Sequence, residues 1–218
     1  MLLAIDTASR FAGIALYDQN GLHIEQTWCT SDNHTVELMP YIVRACEQQG
    51  LAPVTLGAIA VSLGPGSFTG LRVGLSVAKG LALALSIPLL GVPTLDATAY
   101  AHSRETLPVC AVLPAGRGRW CAAFYQTIAG EWQRRSGYLL MSSNDLIASL
   151  KEPTLICGEI DSHLAEALST TTPEQAIIVS PAFAIRRAGY LAELGWRRFA
   201  SGERDDLFSL TPIYLQHA

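Results

Sequence analysis

The chain has 218 residues, of which 50% are hydrophobic and 16% charged, with a formal net charge of −4 at pH 7. This composition excludes a disordered chain, because disordered segments contain too little apolar surface to offset the entropy lost on ordering. The acidic balance also argues against a protein that binds nucleic acid through bulk positive charge.

The cysteines and the N-terminus bear on the cellular compartment. Five cysteines are present, an odd number, and no two form a C-x-x-C pair. The N-terminus passes from Met1 directly into a strand pattern, without a visible signal peptide. The longest apolar run, residues 80–92, contains Pro88 and is too short to span a bilayer. We therefore expect a soluble, cytoplasmic protein that makes no contact with a membrane.

The first half of the chain has the element order of a ribonuclease-H-like unit. Asn20-Gly21 is a strong hairpin signal between the second and third strands. The pattern predicts three antiparallel strands and then alternating helices and strands, at residues 2–6, 12–17 and 22–28 and then 35–49, 58–62, 70–86 and 88–92. This order is half of the actin/sugar-kinase/Hsp70 architecture.

Residues 62–74 organise this first half, because a buried strand runs there into a glycine turn and then into a helix. Gly64-Pro65-Gly66 makes the turn tight and stiff, and Ser67 or Thr69 can cap the helix. The spacing matches neither a P-loop nor the dinucleotide fingerprint. Two interpretations remain open: a weak phosphate site at the helix start, and a plain turn whose glycines allow close packing.

Asp6 ends the first predicted strand and stands beside Thr7. In sugar kinases and Hsp70 relatives, an acid at this place faces nucleotide phosphate or its metal. The alternative is that the carboxylate caps the turn, as Asp side chains often do. We favour the capping role, since one carboxylate makes a poor metal site.

The first helix has a wider apolar band than one core contact requires. Val36, Met39, Val43 and Cys46 make one stripe, and Leu38 and Ile42 widen it, which suggests a second contact. Pro40 is tolerated only in a first turn, so the helix should begin near residue 36 or 37. We interpret His34 and Glu37 as a polar helix start or interface positions rather than an acid–base pair.

The second half repeats the β-β-β-α-β-α logic of the first, and we place the boundary between residues 106 and 107. Its first three strands are predicted at residues 108–113, 120–127 and 131–139, followed by a short helix at 144–150 that Ser142 or Ser143 caps. A long final helix is predicted from Pro181 to Ala200. It would carry Arg186-Arg187 and Arg197-Arg198 on one side, facing an RNA backbone, an acidic partner or solvent. The apolar tail at residues 210–215 is expected to dock back onto the body of the protein.

Two motifs resemble the bacterial TsaB family, also called YeaZ. They are the nine residues from Gly64 to Arg72 and the opening Leu3-Ala4-Ile5-Asp6-Thr7-Ala8. Members of this family are non-catalytic partners of the TsaD enzyme in threonylcarbamoyladenosine synthesis on tRNA. The resemblance therefore implies two ribonuclease-H-like lobes, each an α/β unit with a mixed sheet and flanking helices.

The resemblance also implies partners. TsaD would form a heterodimer with this chain, an ATPase of the TsaE type would join the larger complex, and the chain alone would form a homodimer. Because the chain is acidic, we expect a partner to hold tRNA, which this chain would contact only indirectly.

Two departures from related sequences matter. TsaD enzymes carry two histidines four residues apart after the fifth strand, where this chain has Thr94 and Thr98, and hydroxyls cannot replace imidazoles on a transition metal. TsaB proteins usually have an Asp-Ala-Arg segment where this chain has Pro114-Ala115-Gly116-Arg117. Arg117 and Arg119 could contact an anion, although an exposed, merely soluble loop is the preferred interpretation.

These observations give the expected site residues, with no catalytic residue, metal or cofactor among them. The vestigial or weak phosphate turn comprises Asp6, Thr7, Gly64, Pro65, Gly66, Ser67, Thr69 and Gly70. The partner interface comprises His34, Glu37, Leu38, Met39, Ile42, Leu71, Arg72 and Leu75. The alternative function is an ATP-binding or ATP-hydrolysing enzyme of the same architecture, or a glycoprotease-like metallopeptidase.

Overall fold

Eleven strands and six α-helices are present among residues 1–30 and 34–215, the part of the chain that the computed structural model describes. The strands are β1 (Leu2–Asp6), β2 (Phe11–Asp18), β3 (Gly21–Cys29), β4 (Ala58–Ser62), β5 (Leu89–Val92), β6 (Val109–Gly116), β7 (Arg119–Ile128), β8 (Glu131–Arg134), β9 (Leu139–Ser142), β10 (Thr154–Gly158) and β11 (Ala176–Ile178). The helices are α1 (His34–Gln48), α2 (Phe68–Leu85), α3 (Thr94–Tyr100), α4 (Ser143–Ser149), α5 (Ser162–Thr171) and α6 (Ala188–Ala200).

Two units with the same strand topology make up the chain. The sheet of the first unit has the order β3-β2-β1-β4-β5, and that of the second has the order β11-β10-β6-β7-β8. In each, the three strands that come first in sequence are antiparallel and the later two pair in parallel. Only β9, which pairs with β7, has no counterpart in the first unit. The predicted α/β class with two ribonuclease-H-like lobes is therefore confirmed.

The first sheet is covered on both faces, which explains why β1 and β4 are buried at every residue. Side chains such as Leu3, Ile5 and Ile59 lie in one apolar cluster with α1 and α2. On the opposite face α6 packs against β1, β2 and β4. Gly195 of α6 lies so close to the sheet that a Cβ there would be 2.5 Å from Ala60 Cβ.

The unit boundaries differ from the sequence-based division at residue 106. One unit comprises Met1–Thr94 with Arg187–Ile213, and the other comprises Leu95–Arg186 with the residues from Tyr214. The last helix thus returns to the first unit, because small residues at Ala188, Ala192 and Gly195 let it pack on the first sheet. Linear order gives no sign of such a return.

The final helix is also shorter than predicted. It begins at Ala188, and residues 181–187 form turns and bends instead of the first helical turns. The two arginine pairs therefore do not share one helical face. Arg187 is the N-cap of α6, while Arg197 and Arg198 lie in its last turn.

Two further predictions are corrected. Pro40 lies well inside α1, which begins at His34 and not near residue 36. Pro40 is exposed, so solvent can hydrate the carbonyl that loses its helical donor. The strand predicted at residues 131–139 is divided into β8 and β9, with Ser136 and Gly137 between them.

The tail docks on the first unit, as predicted. Ile213 N donates to Leu63 O at 2.7 Å, and Leu207, Leu210 and Ile213 pack against the apolar cluster. Asp205 fixes the start of this segment, because its carboxylate accepts from Gly91 N at 2.6 Å and from Arg198. Burial would raise the pKa of Asp205, but these hydrogen bonds hold it below its ordinary value.

Among residues 1–30 and 34–215, one helix, α2, is long and apolar enough to cross a membrane by length and composition, with 18 residues and a mean hydropathy of 1.4. One face of it, which includes Gly70, Gly74 and Ala78, is buried. It packs on β4 and β1. The buried core helix of a soluble protein can have the same length and composition.

Substitution of Gly195 tests the packing of α6 on the first sheet. We expect Gly195→Ala to lower the melting temperature, because the added Cβ at 2.5 Å from Ala60 Cβ forces α6 away from the sheet at about 1–3 kcal/mol. Gly80→Ala in α2 is the matched control, since a Cβ there meets nothing within 4 Å and the change should stabilise by about 1 kcal/mol. Equal melting temperatures for the two variants would contradict the packing.

Candidate functional site

The glycine turn between β4 and α2 is tied to two other segments by backbone hydrogen bonds. Gly64 has a φ of +103° and is followed by a cis peptide bond to Pro65. Gly64 N donates to Thr94 Oγ1 at 2.9 Å, and Thr94 N donates to Gly64 O at 2.8 Å. With the bond from Ile213 N to Leu63 O, the turn is held from both sides.

The segment after β1 packs directly onto this turn. Ser67 N donates to Ala8 O at 2.6 Å, and Thr7 Oγ1 donates to Gly70 O at 2.7 Å. Thr7 N also donates to Ser62 Oγ at 3.3 Å. Residues 7 and 8 therefore lie against the start of α2.

Most glycines of this turn are required because other atoms of the chain lie too close for a side chain, and not because of their backbone angles. A Cβ on Gly66 would be 2.2 Å from Ala8 O, and one on Gly70 would be 2.1 Å from Thr7 O. Gly74, one turn further along α2, would meet Thr7 Oγ1 at 2.1 Å. Gly66, Gly70 and Gly74 do not have a positive φ, whereas Gly64 does. The geometry therefore favours the close-packing interpretation.

The start of α2 is partly capped by groups of the chain itself. Ser67 is the N-cap, and its Oγ accepts from Gly70 N at 3.2 Å. Thr69 is exposed on the first turn and does not take the cap position. Two backbone N–H groups that could bind an anion, those of Ser67 and Gly70, already have acceptors in the chain.

Asp6 is buried at the end of β1, and its Oδ1 accepts a hydrogen bond from Ala8 N at 2.9 Å. This bond between residues i and i+2 is an Asx turn, the contact that the sequence favoured over a metal-ligand role. It also orients Ala8 so that the Ala8 carbonyl reaches Ser67 N.

Thr94 and Thr98 lie on α3, four residues apart, and both are buried. The Thr94 hydroxyl is the acceptor for Gly64 N, so Thr94 itself is bonded to the turn. Within residues 1–30 and 34–215, no three His, Cys, Asp or Glu side chains form a group that could hold a metal ion. The sequence did not reveal the bond between Thr94 and Gly64, because a lone threonine carries no such signal.

Four of the expected interface residues belong to the core, which corrects their assignment. The structure buries Leu38, Ile42, Leu71 and Leu75, with relative exposures between 0% and 6%. Leu38, Ile42 and Leu75 pack in the cluster beneath the first sheet. The helix period was correct, but which apolar stripe faces inward depends on the neighbouring sheet.

The exposed side of α1 is apolar as well. Val36, Met39 and Val43 are 72%, 38% and 39% exposed, and we refer to these three residues as the α1 patch. Beside them, Glu37 accepts from Trp28 Nε1 at 2.9 Å, and Trp28 stacks on Tyr41. His34 begins α1, but its side chain lies outside the described residues.

Arg72 lies at the start of α2 on the exposed side. Its guanidinium is 3.8 Å from the centroid of the Phe68 ring, and Phe68 is 55% exposed. Such stacking orders the arginine and presents a flat surface of mixed character. Arg72 therefore remains an interface candidate, unlike the leucine before it.

The two arginine pairs near the C-terminus, at residues 186–187 and 197–198, have acidic neighbours. Arg186 pairs with Glu159 at 2.7 Å, and Arg187 pairs with Glu25. Arg197 pairs with Glu193 at 2.8 Å, and Arg198 reaches Asp205 at 2.9 Å. These ion pairs support the structure of each unit, which removes the main reason to assign the four arginines to an RNA backbone.

The buried cysteines are poor nucleophiles. Burial raises the pKa of the Cys121 thiol to about 11 and that of Cys157 to about 12. Burial also raises the pKa of Cys46 and Cys110. These four thiols therefore remain protonated at neutral pH, whereas the attacking species in cysteine chemistry is the thiolate.

A family model described as TsaD, tRNA N6-adenosine threonylcarbamoyltransferase, matches residues 28–182. The tRNA threonylcarbamoyladenosine biosynthesis protein TsaB of Bacillus subtilis (strain 168) is 30% identical over 220 residues, which cover 100% of this chain and 94% of that protein. The chain belongs to the TsaB family. TsaB of Escherichia coli (strain K12) is 34% identical over 127 residues, covering 57% of this chain and 54% of that protein.

Solved structures agree on the fold of this TsaB-family chain. YeaZ from Pseudomonas aeruginosa superposes with a TM-score of 0.81 at 24% identity and covers 98% of this chain and 99% of its own. A Pseudomonas aeruginosa protein described as similar to peptidase YeaZ has a TM-score of 0.82, also at 24% identity, and covers 99% of both chains. At this identity the similarity shows the fold and not the activity.

The packing of the turn can be tested at Gly66. We expect Gly66→Ala to lower the melting temperature and displace the start of α2, because its Cβ would be 2.2 Å from the backbone oxygen of Ala8, which cannot rotate away. Gly137→Ala is the control, since a Cβ at this loop position meets nothing within 4 Å. An unchanged melting temperature for Gly66→Ala would mean that residues 7 and 8 do not press on the turn.

Proposed function

We propose that this chain is a non-catalytic subunit in tRNA N6-threonylcarbamoyladenosine biosynthesis, and that it binds and stabilises a TsaD-type transferase. Membership of the TsaB family supports the pathway, since relatives carry that name. The observation that carries the non-catalytic role is the contact of Thr7 and Ala8 with the glycine turn, at 2.7 Å and 2.6 Å. The glycines of the turn are needed for this contact, which favours the close-packing interpretation over a phosphate site.

The division of labour then follows the family resemblance. A separate enzyme makes threonylcarbamoyl-adenylate from threonine, bicarbonate and ATP, and the transferase moves the threonylcarbamoyl group to adenosine 37 of tRNAs that read ANN codons. A TsaE-type ATPase joins the larger complex. This cytoplasmic chain holds the transferase in its active shape and needs no metal or cofactor of its own.

The α1 patch is the proposed contact surface for the transferase. Its three side chains lie on the outer side of a helix whose inner side, including Leu38 and Ile42, is already buried in the core. Three residues of the expected interface are still candidates for this contact, namely Met39, Glu37 and Arg72. We add Val36 and Val43, which are exposed on α1. In the absence of the transferase the same apolar surface would pair with a second copy, because exposed apolar area favours burial.

The pairing surface can be tested with valine substitutions. We expect Val43→Glu to leave the melting temperature unchanged but to weaken binding to the transferase and self-association more than 100-fold, since a carboxylate buried in an interface costs several kcal/mol. Val54→Glu is the matched control, because Val54 is 72% exposed and lies outside α1. Light scattering of each variant, alone and mixed with the transferase, gives the masses. Intact complexes with Val43→Glu would exclude the α1 patch.

Substitutions of Asp6 distinguish a structural role of its carboxylate from a catalytic one. If Asp6 only forms the Asx turn, Asp6→Ala should destabilise the chain by about 1 kcal/mol, and Asp6→Asn, which keeps an acceptor oxygen, should destabilise it less. Single-turnover modification of tRNA, measured at concentrations that saturate assembly, should then proceed at a near-normal rate with both variants. A loss of several orders of magnitude with full assembly would indicate a catalytic metal ligand and contradict the proposal.

A further inference from the structure

The hairpin between β6 and β7 ends in a turn with an unusual arginine. Gly116 pairs with Arg119, so that only Arg117 and Gly118 connect the two strands. Both have positive φ, 54° and 68°, as a type I′ turn requires. Asn and Gly are strongly preferred at the first of these positions, yet this chain has an arginine there. A residue kept in a sparsely populated conformation is a reason to look for a function.

The tip of this hairpin presents cationic side chains and little else. Arg117 is exposed and Arg119 is half-buried. A Cβ on Gly116 or Gly118 would meet nothing within 4 Å, so the space around the turn is open. The register shift between Pro114 and Gly116 is a bulge, a feature that turns a strand end and redirects its side chains.

Among the residues that the structure describes, no Asp or Glu oxygen lies within 4.0 Å of the guanidinium nitrogens of Arg117 or Arg119. Two other arginines of the same unit have such an acidic neighbour, since Arg134 lies 3.7 Å from Asp96 and Arg186 lies 2.7 Å from Glu159. The tip therefore carries a local positive charge on a chain whose net charge is −4.

We infer that the turn of residues 116–119 contacts RNA, and that Arg117 and Arg119 bind phosphate oxygens of the tRNA that the complex modifies. This inference rests on the proposed function, and it replaces the expectation that tRNA is reached only through a partner. Guanidinium groups match phosphate oxygens in bidentate geometry, and the flanking glycines leave room for a sugar–phosphate backbone.

An acidic protein is a poorer match for this tip. Protein interfaces depend on a few buried aromatic or apolar anchors, and the turn offers only two glycines and two arginines. The nearest aromatic residue in sequence, Trp120, is 3% exposed and donates its Nε1–H to Ser143. Phosphate contacts need no such anchor, because released counterions supply the driving force.

The test is the salt dependence of tRNA binding. The wild-type chain and its variants, each bound to the transferase, are titrated with an unmodified transcript of a tRNA that reads an ANN codon, at several salt concentrations. The variant Arg117→Asn with Arg119→Gln removes both charges, and asparagine suits the type I′ position, so its melting temperature should equal or exceed that of the parent. We expect affinity to fall about tenfold or more and the salt slope to fall by about one per arginine.

Two control variants distinguish a contact at the turn from a general effect of net charge. Arg104→Gln with Arg135→Gln removes the same charge from exposed positions of the same unit and should leave affinity and slope nearly unchanged. Arg117→Lys should retain most of the slope. An equal loss in the two double variants would show a net-charge effect and overturn the inference, as would an unchanged affinity for Arg117→Asn with Arg119→Gln. Loss of transferase binding with normal tRNA affinity would assign the arginines to a protein contact and also overturn it.

Failure of the proposed function gives a different result. If the wild-type chain does not bind the transferase in light scattering, the proposed function is wrong. The same titration with the chain alone then decides whether the two arginines bind RNA.

Discussion

The fold of the first unit depends on the contact between the end of β1 and the start of α2. Thr7 and Ala8 leave the sheet and meet the helix through two short hydrogen bonds, Ser67 N to Ala8 O at 2.6 Å and Thr7 Oγ1 to Gly70 O at 2.7 Å. This approach is possible only because Gly66, Gly70 and Gly74 have no side chains. The same contact is the observation on which the proposed absence of chemistry rests.

Other parts of the unit close around this contact. Thr94 binds both backbone groups of Gly64, and the C-terminal segment adds Ile213 on Leu63. That segment is fixed by Arg198 and Asp205, which join α6 to β5 through Gly91. Residues distant in sequence therefore hold one short turn. An arrangement of this kind suits a part of the molecule whose shape has to be maintained.

Much of this fold could be predicted from the sequence. The boundaries of β1 and β4 were predicted to the residue, because alternating and continuous apolar runs reflect burial directly. Local chemistry narrowed each of two helix caps to a pair of residues, Ser67 or Thr69 and Ser142 or Ser143, and Ser67 and Ser142 are the N-caps in the structure. The return of α6 to the first unit was not predictable, since it depends on small residues that fit a sheet formed much earlier in the chain.

The candidate site was predicted less completely. Asp6 and the glycine stretch were found by their residue types, whereas the interface assignment failed at Leu38, Ile42, Leu71 and Leu75. Periodicity identifies an apolar helix but not which of two apolar stripes faces the core. The ion pairs of Arg186 and Arg187 could not be foreseen, because their partners, Glu159 and Glu25, are 27 and 162 residues away in sequence.

The central claim is the proposed non-catalytic role, which rests on the close packing of residues 7 and 8 against the glycine turn. The most direct measurement is calorimetric titration of the purified chain with ATP and Mg²⁺, with phosphate release and bound zinc determined on the same sample. The account predicts no saturable binding at millimolar ATP, no phosphate release above the protein-free rate and no stoichiometric zinc. One ATP bound per chain with appreciable turnover, or one tightly held zinc ion, would contradict it.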